Sequence, residues 1–306
     1  MLEFQNITVM DKDKTVLDNV SLQIPDGVIM GLVGSDDAAK SCLLSVAGGV
    51  RIPDSGQVFL DGEPILNGDK GSDIYEQIGY MRGQYGFYEV LQLEEYFEFF
   101  LSLYRVNPRY WEKRIREILE LTSLEQYGED PITDIPTDRY PFLCLGKTLL
   151  HDPSWLFLDN PFHNLNISGR NQMISILIRL QEQGKSIVVH SQMFPELMEF
   201  YSDVTVIEEG RAVTSGTIQD VYDIALKQSP VRMHVIAGMD EALMVLRQND
   251  LVERVTVNGM NVIFRFNGGE KEEAELLSDL VSSGALIQNY VRNQVNIEQI
   301  FRGGIR

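Results

Sequence analysis

The sequence predicts an α/β fold with a mixed sheet and a helical subdomain, followed by a small ferredoxin-like α+β domain. Three observations carry that expectation. Short apolar runs at residues 28–33, 155–158 and 186–190 alternate with segments of helical period, the pattern of a largely parallel sheet covered on both faces. The first run leads into residues 31–44, GLVGSDDAAKSCLL, which have the outline of a phosphate-binding loop opening a helix. Beyond residue 230 the order of expected elements becomes β-α-β-β-α-β, the ferredoxin-like pattern.

Taken in order, residues 2–9 and 15–24 alternate apolar and polar and read as paired strands. Pro25-Asp26-Gly27 is a turn, 28–33 a buried strand, and a helix begins at 40–46. Strands follow at 57–60 and 78–81. Residues 91–104 and 108–121 have helical spacing, with Leu93, Tyr96, Phe97, Phe100 and Leu103 on one face of the first. Ile115, Ile118, Leu119 and Thr122 line the second, and Pro108 suits its N1 position. Both stripes read as core. A helix over 140–151 with Pro141 in its first turn, a strand at 155–158 ending in Asp159, a helix over 167–183 and a strand at 186–190 come next. A hairpin over 204–208 and 211–215 and a helix over 217–225 complete the first domain.

Lys227-Gln228-Ser229-Pro230 reads as a linker. The second domain is expected as a strand (231–237), a helix (240–249), a hairpin (251–257 and 260–267, turning at Asn258-Gly259), a helix (270–282), a strand (286–291) and a short helix (297–301). The expected boundaries are therefore 1–227, with the helical subdomain at about 88–150, and 231–306.

Composition narrows the class. The chain has 306 residues, 44% hydrophobic and 23% charged, as expected of a globular protein of two domains. No apolar run approaches the ~18–20 residues needed to span a bilayer, so no direct membrane insertion is expected. The N-terminus lacks a basic region followed by an apolar one, so no signal peptide is expected. Cys42 and Cys144 are too few for a disulfide scaffold or a zinc site, which fits the cytosol. A net charge of −19 argues against a nucleic-acid partner, because phosphate contacts need Lys and Arg.

The loop itself is altered. Against G-x-x-x-x-G-K-[ST], Gly34 fits the first position and Lys40 and Ser41 the last two, but Ala39 replaces the second Gly. Gly34, Lys40, Ser41 and Cys42 form the residual loop. A β-carbon where the backbone needs unusual angles costs on the order of 1 kcal/mol. Asp36 and Asp37 would also repel a triphosphate, each pair at ~4 Å by about 1 kcal/mol in water and about 4 at intermediate dielectric. Two outcomes stay open. Lys40 and Ser41 still offer a charge and a magnesium ligand, or Lys40 pairs with Asp36 or Asp37 and fills the loop.

The order of phrases resembles the nucleotide-binding domain of ATP-binding cassette (ABC) transporters. VLDNVSLQIPDGVIMGLVG, VAGGVRIPDSGQVFLDGEPI, IGYM, LLHDPSWLFLDNP and EEGRAVTSGT fall in cassette order over about residues 1–225. The C-terminal region looks like the appended domain of drug-export-type cassettes. The resemblance implies a P-loop NTPase-like cassette that binds ATP and magnesium, pairs as a homodimer or heterodimer with another cassette, and docks on a membrane permease. It would lie in the cytoplasm, peripheral to the inner face of the cell membrane.

The resemblance also assigns roles, and most of the positions depart from them. Ser41 and Asp159 match the magnesium-linked positions. Asn160 stands where the family has its catalytic Glu, and an amide cannot take a proton from water. Gln192 stands at the switch His, with His190 two residues earlier, either recruited in its place or simply ending the strand. Residues 135–139 replace the signature motif and carry no Gly pair. Arg82-Gly83 replaces the Q-loop phrase, with Gln84 one place late. Asp11 stands at the adenine-stacking aromatic and Asn166 at the D-loop Asp. A catalytically degenerate pseudo-ATPase subunit, with ATP and magnesium bound weakly or not at all, is the expectation. A divergent but active ATPase and a stand-alone protein-binding adaptor are the alternatives.

Overall fold

The structure, a computed structural model, describes residues 1–65, 74–83, 86–87, 91–192, 200–221 and 230–292. It comprises two compact units, Met1–Thr217 and Ile218–Arg306. The expected linker lies mostly outside the described residues.

The first unit is built on two sheets. Strands β1 (Leu2–Asp11), β2 (Lys14–Ile24), β4 (Ser55–Leu60) and β5 (Glu63–Pro64) form an antiparallel sheet of order β2-β1-β4-β5. Pairing Leu2 with Ile24 and Phe4 with Leu22 puts four buried apolar side chains on one face. The second sheet has the order β10-β9-β3-β8-β7-β6. Its strands are β3 (Ile29–Val33), β6 (Ile78–Met81), β7 (Trp155–Asp159), β8 (Ser186–His190), β9 (Asp203–Glu208) and β10 (Arg211–Thr217). All pair in parallel except the β9–β10 hairpin. Every residue of β3, β7 and β8 is buried, because a parallel sheet is covered on both faces.

Helix α1 (Asp37–Ala47) follows β3 directly. The helical subdomain holds α2 (Leu93–Leu103), α3 (Trp111–Thr122) and α4 (Tyr140–Leu149). Three details correct the sequence reading. Leu101, not Leu103, is buried on α2; Leu103 is 59% exposed, since the buried stripe of Leu93, Tyr96, Phe97 and Leu101 ends one turn before the Tyr104 C-cap. Pro108 opens a 3-10 turn (Pro108–Tyr110) rather than the α-helix, because the Asn107 side chain accepts from the Arg109 N–H and closes a separate short turn. Strand β10 runs through Thr217, so the helix expected from that residue is described only over 218–221. Helix α5 (Ile167–Glu182) lies between β7 and β8 in the chain.

The second unit runs β11 (Val231–Ala237), α6 (Met239–Gln248), β12 (Val252–Asn258), β13 (Asn261–Phe266), α7 (Glu270–Ser282) and β14 (Leu286–Arg292). Its sheet order is β12-β13-β11-β14, antiparallel throughout, which is the ferredoxin-like topology. Alternate residues Val231, Met233 and Val235 meet Val262, Phe264 and Phe266 in a core closed by Leu246, Leu276 and Leu280. Asn258 pairs with Asn261, so the hairpin turns at Gly259-Met260, one residue later than expected. The expected helix at 297–301 lies outside the described residues. Among the described residues no helix is long and apolar enough to cross a membrane.

Candidate functional site

The parallel sheet gathers the site at the C-terminal ends of its strands, where open α/β sheets bind ligands. Gly34 follows β3, Asp159 ends β7 and His190 ends β8; His190 is in register with both Leu32 and Asp159. Gly34 has φ +117°, and a β-carbon there would lie 2.0 Å from the Ile207 carbonyl oxygen. No other residue type fits that turn.

Past Gly34 the loop departs from the expectation of strain. Asp36 sits at φ −96°, and Asp37, Ala38 and Ala39 are already helical. The β-carbons at 37 and 39 therefore occupy ordinary right-handed backbone, and the expected penalty is absent. The physical reason is the cap: the Asp36 carboxylate accepts the Ala39 N–H at 3.0 Å, which starts the helix at Asp37. Asp36 thereby satisfies one of the N–H groups that a helix N-terminus would otherwise offer to an anion.

Lys40 is 3% exposed. Its ammonium donates to the Gly34 carbonyl at 2.5 Å and to the Asp37 carboxylate at 2.8 Å. Of the two partners open to it from sequence, the structure selects Asp37. The same carboxylate meets His190 Nε2 at 3.2 Å and the Gln192 side-chain amide at 3.2 Å. His190 Nδ1 lies 2.8 Å from Asp159, whose second oxygen accepts from the Ser41 hydroxyl. A chain of contacts thus runs Lys40, Asp37, His190, Asp159, Ser41. The imidazole thus lies between the two aspartates, one ring nitrogen facing each.

The carboxyls are held ionised. Burial works against charge on Asp37, but the Lys40 ammonium and then His190 hold it below the usual carboxylate range. Burial likewise opposes ionisation of Asp159, and hydrogen bonds from His190, Ser41 and the Gly83 N–H outweigh it. Burial, followed by the Asp159 charge, pushes the Tyr80 hydroxyl up to about 12, so this ring faces the site neutral. The cleft beside these groups encloses about 730 Å³ and is lined by Ser41, Cys42, Arg51, Tyr80, Arg82 and Asn160 among others. Cys42 is buried, and burial pushes its thiol up.

Of the residues named from sequence, the structure brings together Gly34, Lys40, Ser41, Cys42, Asp159, Asn160 and Gln192. Gln84 lies outside the described residues. Asn160 takes a left-handed φ of +55°, a conformation that Asn tolerates better than most residues. Its N–H donates to the His190 carbonyl at 2.8 Å. Asn166 caps α5, its side chain accepting the Gly169 N–H at 2.9 Å. The stretch at the signature position is a 3-10 turn, Thr137–Arg139, behind the buried Ile135. Sequence reasoning missed the cap at Asp36 and the bridging role of His190. The first has a sequence signal, an Asp just before a helix start; the second has none, because Asp37, Asp159 and His190 lie on three separate segments.

Two groups associated with such a loop are a triphosphate and magnesium. Ser41 and Asp159 place two oxygens in contact, the pair that would hold the metal ion and let it share charge with a phosphate. The phosphate cradle does not fit in the same way. A phosphate reaching Lys40 would have to displace Asp37, and one reaching the Ala39 N–H would have to displace Asp36.

The fold is that of an ABC transporter ATP-binding cassette domain. The family profile described as ABC transporter matches residues 17–163. Over nearly the whole chain the sequence is homologous to the linearmycin resistance ATP-binding protein LnrL of Bacillus subtilis, 25% identical over 305 residues (98% of this chain, 97% of LnrL). The Nod factor export ATP-binding protein I of Cupriavidus metallidurans is 24% identical over 303 residues, 98% of this chain and 96% of its own. A probable sulfate/thiosulfate import ATP-binding protein of Chlorella vulgaris is 29% identical over 220 residues, 72% of this chain and 92% of its own. Among solved structures, a dimeric bacterial ABC transporter cassette superposes with TM-score 0.65 at 22% identity, covering 71% of this chain and 99% of that one.

Proposed function

We propose that the chain is a cytosolic ABC transporter subunit whose cassette is a pseudo-ATPase, serving a membrane permease as a structural or regulatory partner. Asn160 carries this reading. It directly follows the Asp159 strand, where a cassette needs a carboxylate to accept a proton from the attacking water, and an amide has no basic oxygen for that step. The Lys40–Asp37 pair supports weak or absent binding of ATP and magnesium, because a γ-phosphate would compete with a carboxylate already in place. The names of two relatives that align along nearly the whole chain, linearmycin resistance and Nod factor export, favour an export-type transporter. On this reading residues 1–227 form the cassette, which pairs with itself or a second cassette, and residues 231–306 form an accessory or dimerisation domain. The subunit sits at the inner face of the cell membrane through its permease. Phosphate release from MgATP by the purified chain tests it: turnover that disappears in Lys40→Ala rejects the reading.

One observation favours a second reading, a divergent but active ATPase. The Ser41 hydroxyl and the Asp159 carboxylate stay in contact, so the magnesium positions are kept together. Calorimetry with millimolar MgATP separates the two, since an active enzyme must bind what it hydrolyses.

A further inference from the structure

The two aspartates of the loop sit on the two groups that the loop would present to phosphate. Asp36 takes the Ala39 N–H at the start of α1, and Asp37 takes the Lys40 ammonium. The geometry points to Asp36 and Asp37 as internal stand-ins for nucleotide phosphates, which keep the loop closed and charge-balanced with no nucleotide bound. This rests on the pseudo-ATPase reading and gives the loss of nucleotide binding a specific cause.

The argument starts from Lys40. An ammonium that is 3% exposed must have an anion beside it, because an unpaired buried charge is strongly unfavourable. Where a phosphate-binding loop is rich in Gly, the bound nucleotide supplies that anion. Here the chain supplies it one helical turn away. The Asp37 carboxylate is held in place from three sides, by Lys40 at 2.8 Å and by His190 and Gln192 at 3.2 Å each. A tethered group acts at an effective concentration of roughly millimolar or higher, so a free phosphate competes at a disadvantage before any charge repulsion is counted. The loop shows the same economy in its backbone. The turn that several Gly residues would otherwise make is replaced by an early helix start under the Asp36 cap, and Gly34 alone keeps a positive φ between Val33 and Lys40.

A loop filled in this way holds its shape irrespective of nucleotide, and removing the charge of Asp37 should make it depend on an anion from solution. The test uses the full chain as wild type, Asp37→Asn and Asp37→Gly, with thermal unfolding and calorimetric titration. The probes are sodium pyrophosphate and MgATP, with sodium chloride at matched ionic strength as control. The wild-type melting temperature is expected to be indifferent to both probes. Both variants should melt lower in chloride, recover in pyrophosphate and in MgATP, and bind pyrophosphate about tenfold tighter than wild type or better, the size of one like-charge contact removed. Adding Lys40→Ala to Asp37→Asn should abolish the gain. Variants that fold yet bind pyrophosphate no better than wild type overturn the inference, and so do variants that stay unfolded even in pyrophosphate. Turnover of MgATP by the wild type counts instead against the pseudo-ATPase reading. An inert wild type with unresponsive variants leaves that reading standing and removes this one.

Discussion

His190 and Asp159 end adjacent parallel strands in register, and the imidazole Nδ1 meets the carboxylate at 2.8 Å. With Nε2 on Asp37, the ring joins the Asp159 strand to the phosphate-loop helix. Both nitrogens face carboxylates, so the ring serves the site as a buried tie between the two segments.

Removing that tie should be costly. His190→Ala leaves Asp159 and Asp37 each without one hydrogen-bond partner, and a buried acceptor such as Asp159 that loses its partner costs about 1–3 kcal/mol. We expect the urea midpoint to fall accordingly with the urea m-value unchanged. A midpoint equal to wild type would mean that the ring contributes packing alone.

Restoring the missing carboxylate should not restore activity. Asn160→Glu supplies a basic oxygen, but Lys40 remains on Asp37, so phosphate release stays at background. The variant also places Glu at φ +55°, at a cost of about 1–2 kcal/mol relative to Asn. Phosphate release above background in the single variant would show that the acceptor was the sole defect.

Gly34 is expected to tolerate no side chain. Gly34→Ala sets a methyl 2.0 Å from the Ile207 oxygen at φ +117°, and strained backbone of this kind costs of order 1–3 kcal/mol before the clash is added. Denaturant titration checks it. A loss below about 0.5 kcal/mol would mean that the loop relaxes freely.

Stability should decline on acidification. Asp37 and Asp159 have carboxyls depressed on folding, as does Asp152, where the opposing effect of burial is exceeded by Lys185 and Arg114. A group with a depressed folded pKa binds its proton more readily when unfolded. Its contribution is therefore complete above the unfolded value of about 3.9 and is lost as pH falls through the lower folded one. Urea midpoints measured from pH 6 to pH 3 should drop mainly below about pH 4. In Asp37→Asn the drop should be shallower, and an identical profile would exclude Asp37 as a contributor.

The sequence by itself determined the layers of this protein. Three strands with unbroken apolar runs required a sheet buried on both faces, and the alternation of Val231, Met233 and Val235 required one face of a second sheet, because side-chain period follows directly from backbone geometry. It also placed Gly34, Lys40, Ser41, Asp159 and Asn160 at one site through motif order, and it left Lys40 a choice between two neighbouring aspartates. Tertiary structure decided that choice. Asp36 is turned to the helix N-terminus and Asp37 to the ammonium, since the early start of α1 aims successive residues about 100° apart. Only the register of β7 against β8 brings His190 onto Asp159, and only the meeting of β8 with α1 brings it onto Asp37. These contacts join residues 31 and 153 positions apart on separate segments, so no local pattern in the chain encodes them.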